Sequence, residues 1–419
     1  MAASQQAAAV RLSDDGPDGR ASWQRLLIAV LLTTFSGVGM WSVVVALPTV
    51  QADFGVARGG ASLPYTLTMI GFGIGGVVMG RVADRMGIVV PSLLGCVMLG
   101  VGYVAAGLAP NLATYAIAHG LLIGFGASAS FGPLMADISF WFVRRRGIAV
   151  AICASGNYLA GAFWPPIVQW SIADYGWRAT HIGLGAICVA LMLPLVGTLR
   201  KRPNFSAAAQ AAAQSHFTPT RMALSPGVLQ TLLIIAGIAC CVAMSMPQVH
   251  IVAYCGDLGY GVARGAEMLS LMLGFGIVSR IASGFIADRL GGLLTLLIGS
   301  VLQGVALVLY TLSDGLTQLY VVSALFGLFQ GGIVPSYAMI VREYFPANEA
   351  ATRVGLCMTA TLLGMALGGW MSGVIFDLTG SYRAAFLNGI AWNLLNGAIT
   401  VFLLTRRGQR LDRVKVAPA

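Results

Sequence analysis

Charge is scarce in this sequence. Of 419 residues only 10% are Asp, Glu, Lys or Arg, where a soluble domain carries roughly 25%. With 57% hydrophobic residues and a mean hydropathy of +0.82, this excludes an ordinary soluble fold and points to an integral membrane protein. Acids are the scarcer sign: 15 Asp and Glu stand against 25 Lys and Arg, a net charge of +10. On a soluble chain that excess would suggest nucleic acid. Here the bases flank apolar segments, as cytoplasmic loops of membrane proteins do, so no nucleic-acid partner is expected. The seven cysteines (Cys96, Cys153, Cys188, Cys240, Cys241, Cys255 and Cys357) fall in or beside apolar segments, with no C-x-x-C or Cys/His cluster. That excludes a disulfide framework and a metal site, and no cofactor is expected. No nucleophile–base pair or phosphate loop appears, so the chain reads as no enzyme, with no catalytic residue. The N-terminus lacks a basic stretch followed by an apolar core, and reads as a cytoplasmic tail rather than a signal peptide.

What the chain has is long apolar runs. A helical span needs about 20 such residues. Twelve segments qualify, at 24–49, 62–81, 89–108, 113–139, 147–172, 178–199, 227–255, 262–287, 292–312, 317–342, 350–376 and 382–405. Barrel strands would be shorter and would alternate in polarity. The fold class is therefore an all-α membrane protein. The polar break at 200–226 divides six helices from six, giving tails at 1–22 and 406–419 and two six-helix units at 23–199 and 227–405. Lys and Arg fix the orientation. With both termini cytoplasmic, only Arg58, Arg178, Arg264 and Arg383 lie outside, while Arg81, Arg85, Arg144, Arg145, Arg146, Arg200, Lys201, Arg202, Arg289, Arg406 and Arg407 lie inside. Short loops suggest a bacterial inner membrane.

The halves repeat. "GRVADRMG" (Gly80–Gly87) matches "GFIADRLG" (Gly284–Gly291) at an offset of 204 residues. "YGWRA" and "GSYRA" match through Arg178 and Arg383, at an offset of 205. Two similar bundles facing each other are implied, with substrate bound near midplane between them.

At these loops the sequence resembles the major facilitator superfamily, whose signature is G-x-x-x-D-[RK]-x-G. Gly80, Asp84, Arg85 and Gly87 fit the first copy, and Gly284, Asp288, Arg289 and Gly291 the second. The resemblance implies that these residues lock the inner gate. The basic pair that often ends the motif is replaced by Ile88 and Val89. "WFVRRRGIAVAICASGNYLAG" (Trp141–Gly161) resembles the monocarboxylate transporter signature, through Phe142, Arg144, Arg145, Ala149, Ala154, Ser155, Gly156 and Gly161. Its small residues also let helices approach closely.

One base remains unassigned. Arg280 lies eight residues before Asp288 in the eighth helix, roughly 12 Å deep at 1.5 Å per residue. Burying it costs about 2.5–3.5 kcal/mol by insertion scales. No acid lies at i±3 or i±4, and its counterpart in the first repeat is Gly76. A structural ion pair and a substrate anchor are the competing accounts, and the missing partner favours the anchor. The resemblance agrees, because monocarboxylate transporters carry a carboxylate-gripping arginine in this helix. The oxalate/formate antiporter, also similar, adds a lysine in the eleventh helix where Thr361 stands here, so one fixed cation argues for monoanions. Animal monocarboxylate transporters place an aspartate one turn before the arginine, where this chain has Gly276.

The expected function is thus proton-coupled transport of a small organic monocarboxylate by alternating access. The alternative is an organic-anion exchanger, or an exporter of other amphipathic compounds. Beside Arg280, candidate substrate contacts are Asn157, His250, and Gln330 with Tyr337, seven apart and so on one helix face. Candidate proton carriers are Asp137, His119 and His250, although Asp137 also reads as a gate partner of Arg85, and the histidines as packing residues. Trp41, Phe163 and Trp164 are candidate cavity walls. Expected partners are the carboxylate, a proton and the bilayer, with the chain acting as a monomer.

Overall fold

A computed structural model describes residues 18–142, 145–200, 222 and 224–407. Arg144, Lys201 and Arg202 lie outside them, as do most of both tails and of the central loop. Among the described residues, eleven helical runs are long and apolar enough to cross a membrane. The longest, Arg146–Thr198, is two helices divided at Gly176, whose φ of 77° and ψ of 160° suit only glycine. The spans are therefore twelve: α1 (Arg20–Phe54), α2 (Arg58–Met86), α3 (Val89–Gly107), α4 (Leu112–Trp141), α5 (146–175), α6 (177–198), α7 (Pro226–Asp257), α8 (Val262–Leu290), α9 (Gly292–Leu312), α10 (Leu316–Tyr344), α11 (Ala347–Thr379) and α12 (Tyr382–Arg407). No strand occurs among the described residues.

The surface is inverted relative to a soluble protein. Leu108, Leu121, Phe285 and Leu387 are exposed, while Gln303, Asn396, Ser336 and His119 are buried. In lipid, apolar side chains gain nothing by hiding from their surroundings, and interiors are built from close packing and polar contacts. α1–α6 and α7–α12 form the two halves of a pseudo-symmetric pair of six-helix bundles. The repeated loops are symmetric in detail. Gly87 and Gly291 end α2 and α8 with φ of 81° and 83°, and their N–H groups return to Ala83 and Ala287 at 2.8 Å. The last glycine of each motif copy is thus required by backbone geometry.

Two antiparallel seams join the bundles, α2 with α11 and α5 with α8. An even number of spans puts both chain ends on one side of the membrane, here called the terminal side. From the far side to midplane both seams are shut. A Cβ at Gly59 or Gly373 would strike the opposite bundle within 2.9 Å, and one at Gly161 would press on Leu273 of α8. Ser270 donates to the Ala162 carbonyl across one seam, and Thr66 to the Ala366 carbonyl at 3.1 Å across the other. About three to four turns nearer the terminal side, on the same four helix faces, the seams part. Gly80, Gly147, Gly284 and Gly355 have no heavy atom within 4 Å of an added Cβ among the described residues. The structure is closed on the far side and splayed on the terminal side.

Candidate functional site

Arg280 sits where the α5–α8 seam begins to open. Its helix is held by close packing on α10, because side chains at Gly327 and Gly331 would collide with the carbonyls of Met272 and Gly276. That contact turns Arg280 toward α5. Its Nη1 donates to the Ala154 carbonyl at 3.0 Å, and its guanidinium carbon lies 4.5 Å from the centre of the Tyr158 ring. Its Nε–H is buried without a partner, and no carboxylate pairs with it among the described residues. An unmet buried donor costs about 1–3 kcal/mol, more when charged. A partly buried cation with an unmet donor, beside a parted seam, is suited to receive an anion.

The ring of Tyr158 also accounts for Gly276. A side chain at 276 would overlap that ring. No acid can be placed one turn before Arg280 while Tyr158 stays where it is.

The other candidates scatter. Asp137 is gripped by Arg25 in α1, Nε to Oδ2 at 2.8 Å and Nη2 to Oδ1 at 3.0 Å. Its partner is therefore Arg25, which also lies over Trp141, and not Arg85. Arg85, Asp84, Asp288 and Arg289 are exposed on the splayed side, with no ion pair among the described residues. Asn157 lies against the break of α1 at Gly37, with Oδ1 buried and unpartnered, while its carbonyl accepts from Trp41 Nε1 at 3.3 Å. Trp164 Nε1 donates to the Thr34 carbonyl at 2.9 Å, whereas Phe163 is exposed. Gln330 and Tyr337 lie on either side of a turn at Gly331–Gly332, whose backbone stays in the right-handed helical region, and both are fully buried. Tyr337 points into its own bundle and donates to Asn396 at 3.1 Å; the Gln330 amide is fully buried and unpartnered. His119 lies in a π-helical turn of α4, Ala118–Gly124. Its ring packs against Tyr115, Tyr103 and His181, and neither ring nitrogen has a partner.

His250 belongs to a cluster that the sequence did not announce. On the far side Arg58 reaches across the bundles, bonding Tyr382 (2.6 Å) and Asp257 (3.1 Å) and lying over the Phe376 ring. Asp377 accepts the backbone N–H groups of Arg58 and Gly59 at 2.8 and 2.7 Å. His250 Nε2 lies 2.8 Å from the Gly369 carbonyl, so it carries the proton there; Nδ1 then accepts from the Tyr382 hydroxyl at 3.0 Å. A sequence tally saw Arg58 only as an outside charge. The usable signal was the pair of acids, Asp257 and Asp377, at helix ends on the same side. Tyr158 and Arg25 were missed because nothing in their own segments marks them.

The Major Facilitator Superfamily profile matches residues 29–316 and 282–418 of this duplicated twelve-helix chain. The chain belongs to the Major Facilitator Superfamily. It is 26% identical over 353 residues to monocarboxylate transporter 13 of Bos taurus, covering 82% of this chain and 79% of that one. It is 27% identical over 387 residues to monocarboxylate transporter 11 of Homo sapiens, covering 88% and 80%. In fold it is similar to a bacterial homolog of the human lysosomal transporter Spinster, at a TM-score of 0.67 and 15% identity over 95% of this chain and 99% of that one. This major facilitator protein is a multi-pass membrane transporter of a small molecule, and not an enzyme.

Proposed function

We propose that this transporter moves small organic monocarboxylates together with a proton across the cytoplasmic (inner) membrane by alternating access. It works as a monomer with both termini cytoplasmic. The observation that carries the reading is Arg280: a midplane guanidinium with a buried, unpartnered N–H and no carboxylate partner among the described residues. A monocarboxylate would complete its coordination and neutralise its charge. The fold equivalent of a second cation is not supplied by Thr361, whose hydroxyl donates to the Met358 carbonyl at 2.7 Å. The matched relatives named as monocarboxylate transporters support the same cargo class. The terminal side carries most of the Lys and Arg, which supports placing it in the cytoplasm. The splayed terminal side would then be the inward-open state, with Arg58 and its partners forming the closed outer gate.

The test is uptake of radiolabelled acetate, propionate and butyrate into proteoliposomes, with and without an inwardly directed proton gradient. Wild type should show saturable uptake stimulated by the gradient. Arg280→Ala should abolish it. Arg280→Lys keeps the charge but loses the planar fork, and should raise KM by about tenfold. Wild-type uptake by Arg280→Ala would overturn the reading.

A further inference from the structure

We propose that Tyr158, from the opposite bundle, is the positioning residue for Arg280. The inference rests on the reading of Arg280 as the carboxylate anchor, and adds what holds that anchor ready.

The two residues come from opposite bundles. Arg280 is on α8, and both groups that hold its guanidinium, the Ala154 carbonyl and the Tyr158 ring, are on α5. The Tyr158 ring is 7% exposed and wedged over Gly276, one turn from Arg280 toward the far side. It therefore touches α8 twice: its edge rests on the Gly276 backbone and its face meets the cation.

The chemistry of that contact suits a site that must stay empty between cargoes. An aromatic face attracts a cation through its quadrupole. The N–H donors lie in the guanidinium plane, where a carboxylate binds as a fork. A fixed acid would neutralise the charge; an uncharged ring does not. The buried, unpartnered Nε–H is what such an arrangement leaves for the cargo.

The fold itself does not demand the pair. The 204-residue repeat carries Arg280 onto Gly76 and Tyr158 onto Leu362. At the equivalent seam an added Cβ on Gly73 would meet Leu362 at 3.5 Å, an ordinary van der Waals contact. One seam is therefore sealed by an aliphatic side chain and the other by an aromatic one beside a cation.

The experiment uses the full chain in proteoliposomes, with acetate, propionate and butyrate as probes. Tyr158→Phe keeps the ring face and should hold KM within about twofold of wild type, while Tyr158→Leu, which installs the residue of the twin seam, should raise KM about tenfold with little change in maximal rate. Gly276→Ala supplies an independent route. It leaves Arg280 unaltered but pushes the ring aside, and should reproduce the Tyr158→Leu defect. Because both act through one contact, the double variant should be no worse than the poorer single. Wild-type KM in Tyr158→Leu, or defects that multiply in the double variant, would overturn the proposal. Should Tyr158→Leu fail to fold, Gly276→Ala against Tyr158→Phe decides it: a wild-type KM in Gly276→Ala overturns the proposal. Loss of binding in Arg280→Ala with no effect at Tyr158 sinks this inference alone. Wild-type transport by Arg280→Ala sinks the function reading instead.

Discussion

Asp377 caps a helix to which it does not belong. Its two oxygens accept the N–H groups of Arg58 and Gly59, the first residues of α2, from the far end of α11 in the opposite bundle. A helix start leaves N–H groups without intrahelical partners. Here a distant carboxylate satisfies two of them only while the bundles are closed on this side. The same arginine's side chain bonds Tyr382 and Asp257, so one residue is tied to three helices of the other bundle.

Loosening this clasp should therefore bias the transporter toward opening on the far side. Each hydrogen bond to a charged group is worth about 1.5–3 kcal/mol, so Arg58→Ala should shift the equilibrium by at least about tenfold. A cysteine replacing Thr66, which sits in the shut seam, reports the shift. Its labelling by a membrane-impermeant maleimide applied to the far side should speed up several-fold in Arg58→Ala. The native cysteines that the structure describes are all buried. Unchanged labelling would show that the clasp does not hold the gate.

His250 is expected to make that gate sensitive to pH. The groups facing it are the Tyr382 hydroxyl and Gly369 carbonyl, with Arg58 and Asp377 as the nearby charges. The closed arrangement uses a neutral imidazole, since Nδ1 accepts from Tyr382 while Tyr382 accepts from Arg58. Protonation would put an N–H where an acceptor is needed and a second cation beside Arg58. Acid on the far side should therefore favour opening there, and base closure. The Thr66→Cys labelling rate should rise as far-side pH falls from 8 toward 5 (about the range over which imidazole titrates). His250→Gln retains an amide donor and acceptor but cannot titrate, and should flatten the profile. A pH response that survives His250→Gln would assign the proton elsewhere.

How much of this was legible in the sequence differs by residue. The spans were, because a run such as 292–312 is mostly apolar, carries no charged residue and is long enough to cross. Arg280 was, because a permanent cation in apolar surroundings contradicts its own segment. Tyr158 was not: in an interior of small residues and aromatics its ring looks like any other, and its meaning comes from Gly276, more than a hundred residues away. Asp137 was half legible. Its burial needed a cation, but choosing Arg25 over Arg85 required knowing that α1 packs on α4.

The motif glycines provide a symmetric test of the repeat. Gly87 has φ of 81° and ψ of 170°, and Gly291 φ of 83° and ψ of 166°, a region essentially reserved for glycine. An alanine at either position should cost about 1–3 kcal/mol. Thermal unfolding of the detergent-solubilised protein should show similar losses for Gly87→Ala and Gly291→Ala. A loss at one position alone would mean that the two loops are not equivalent.

Asp137 and Arg25 make the last prediction, because their geometry separates structure from proton transfer. The pair is bidentate, with side chains 5% and 13% exposed for arginine and aspartate. Arg25 also stacks on Trp141, so it is fixed from two directions. Removing one member of such a buried pair costs about 3–5 kcal/mol, because the other charge is left uncompensated. Asp137→Asn should therefore lower the unfolding temperature markedly, and Arg25→Lys should do so less, since the charge survives while the fork is lost. A carboxylate with both oxygens bonded to a fixed guanidinium serves packing rather than proton transfer. Correctly folded Asp137→Asn, assayed below its unfolding temperature, should keep the wild-type response of uptake to a proton gradient. Uptake that becomes independent of the gradient in this variant, with stability unchanged, would make Asp137 the proton carrier after all.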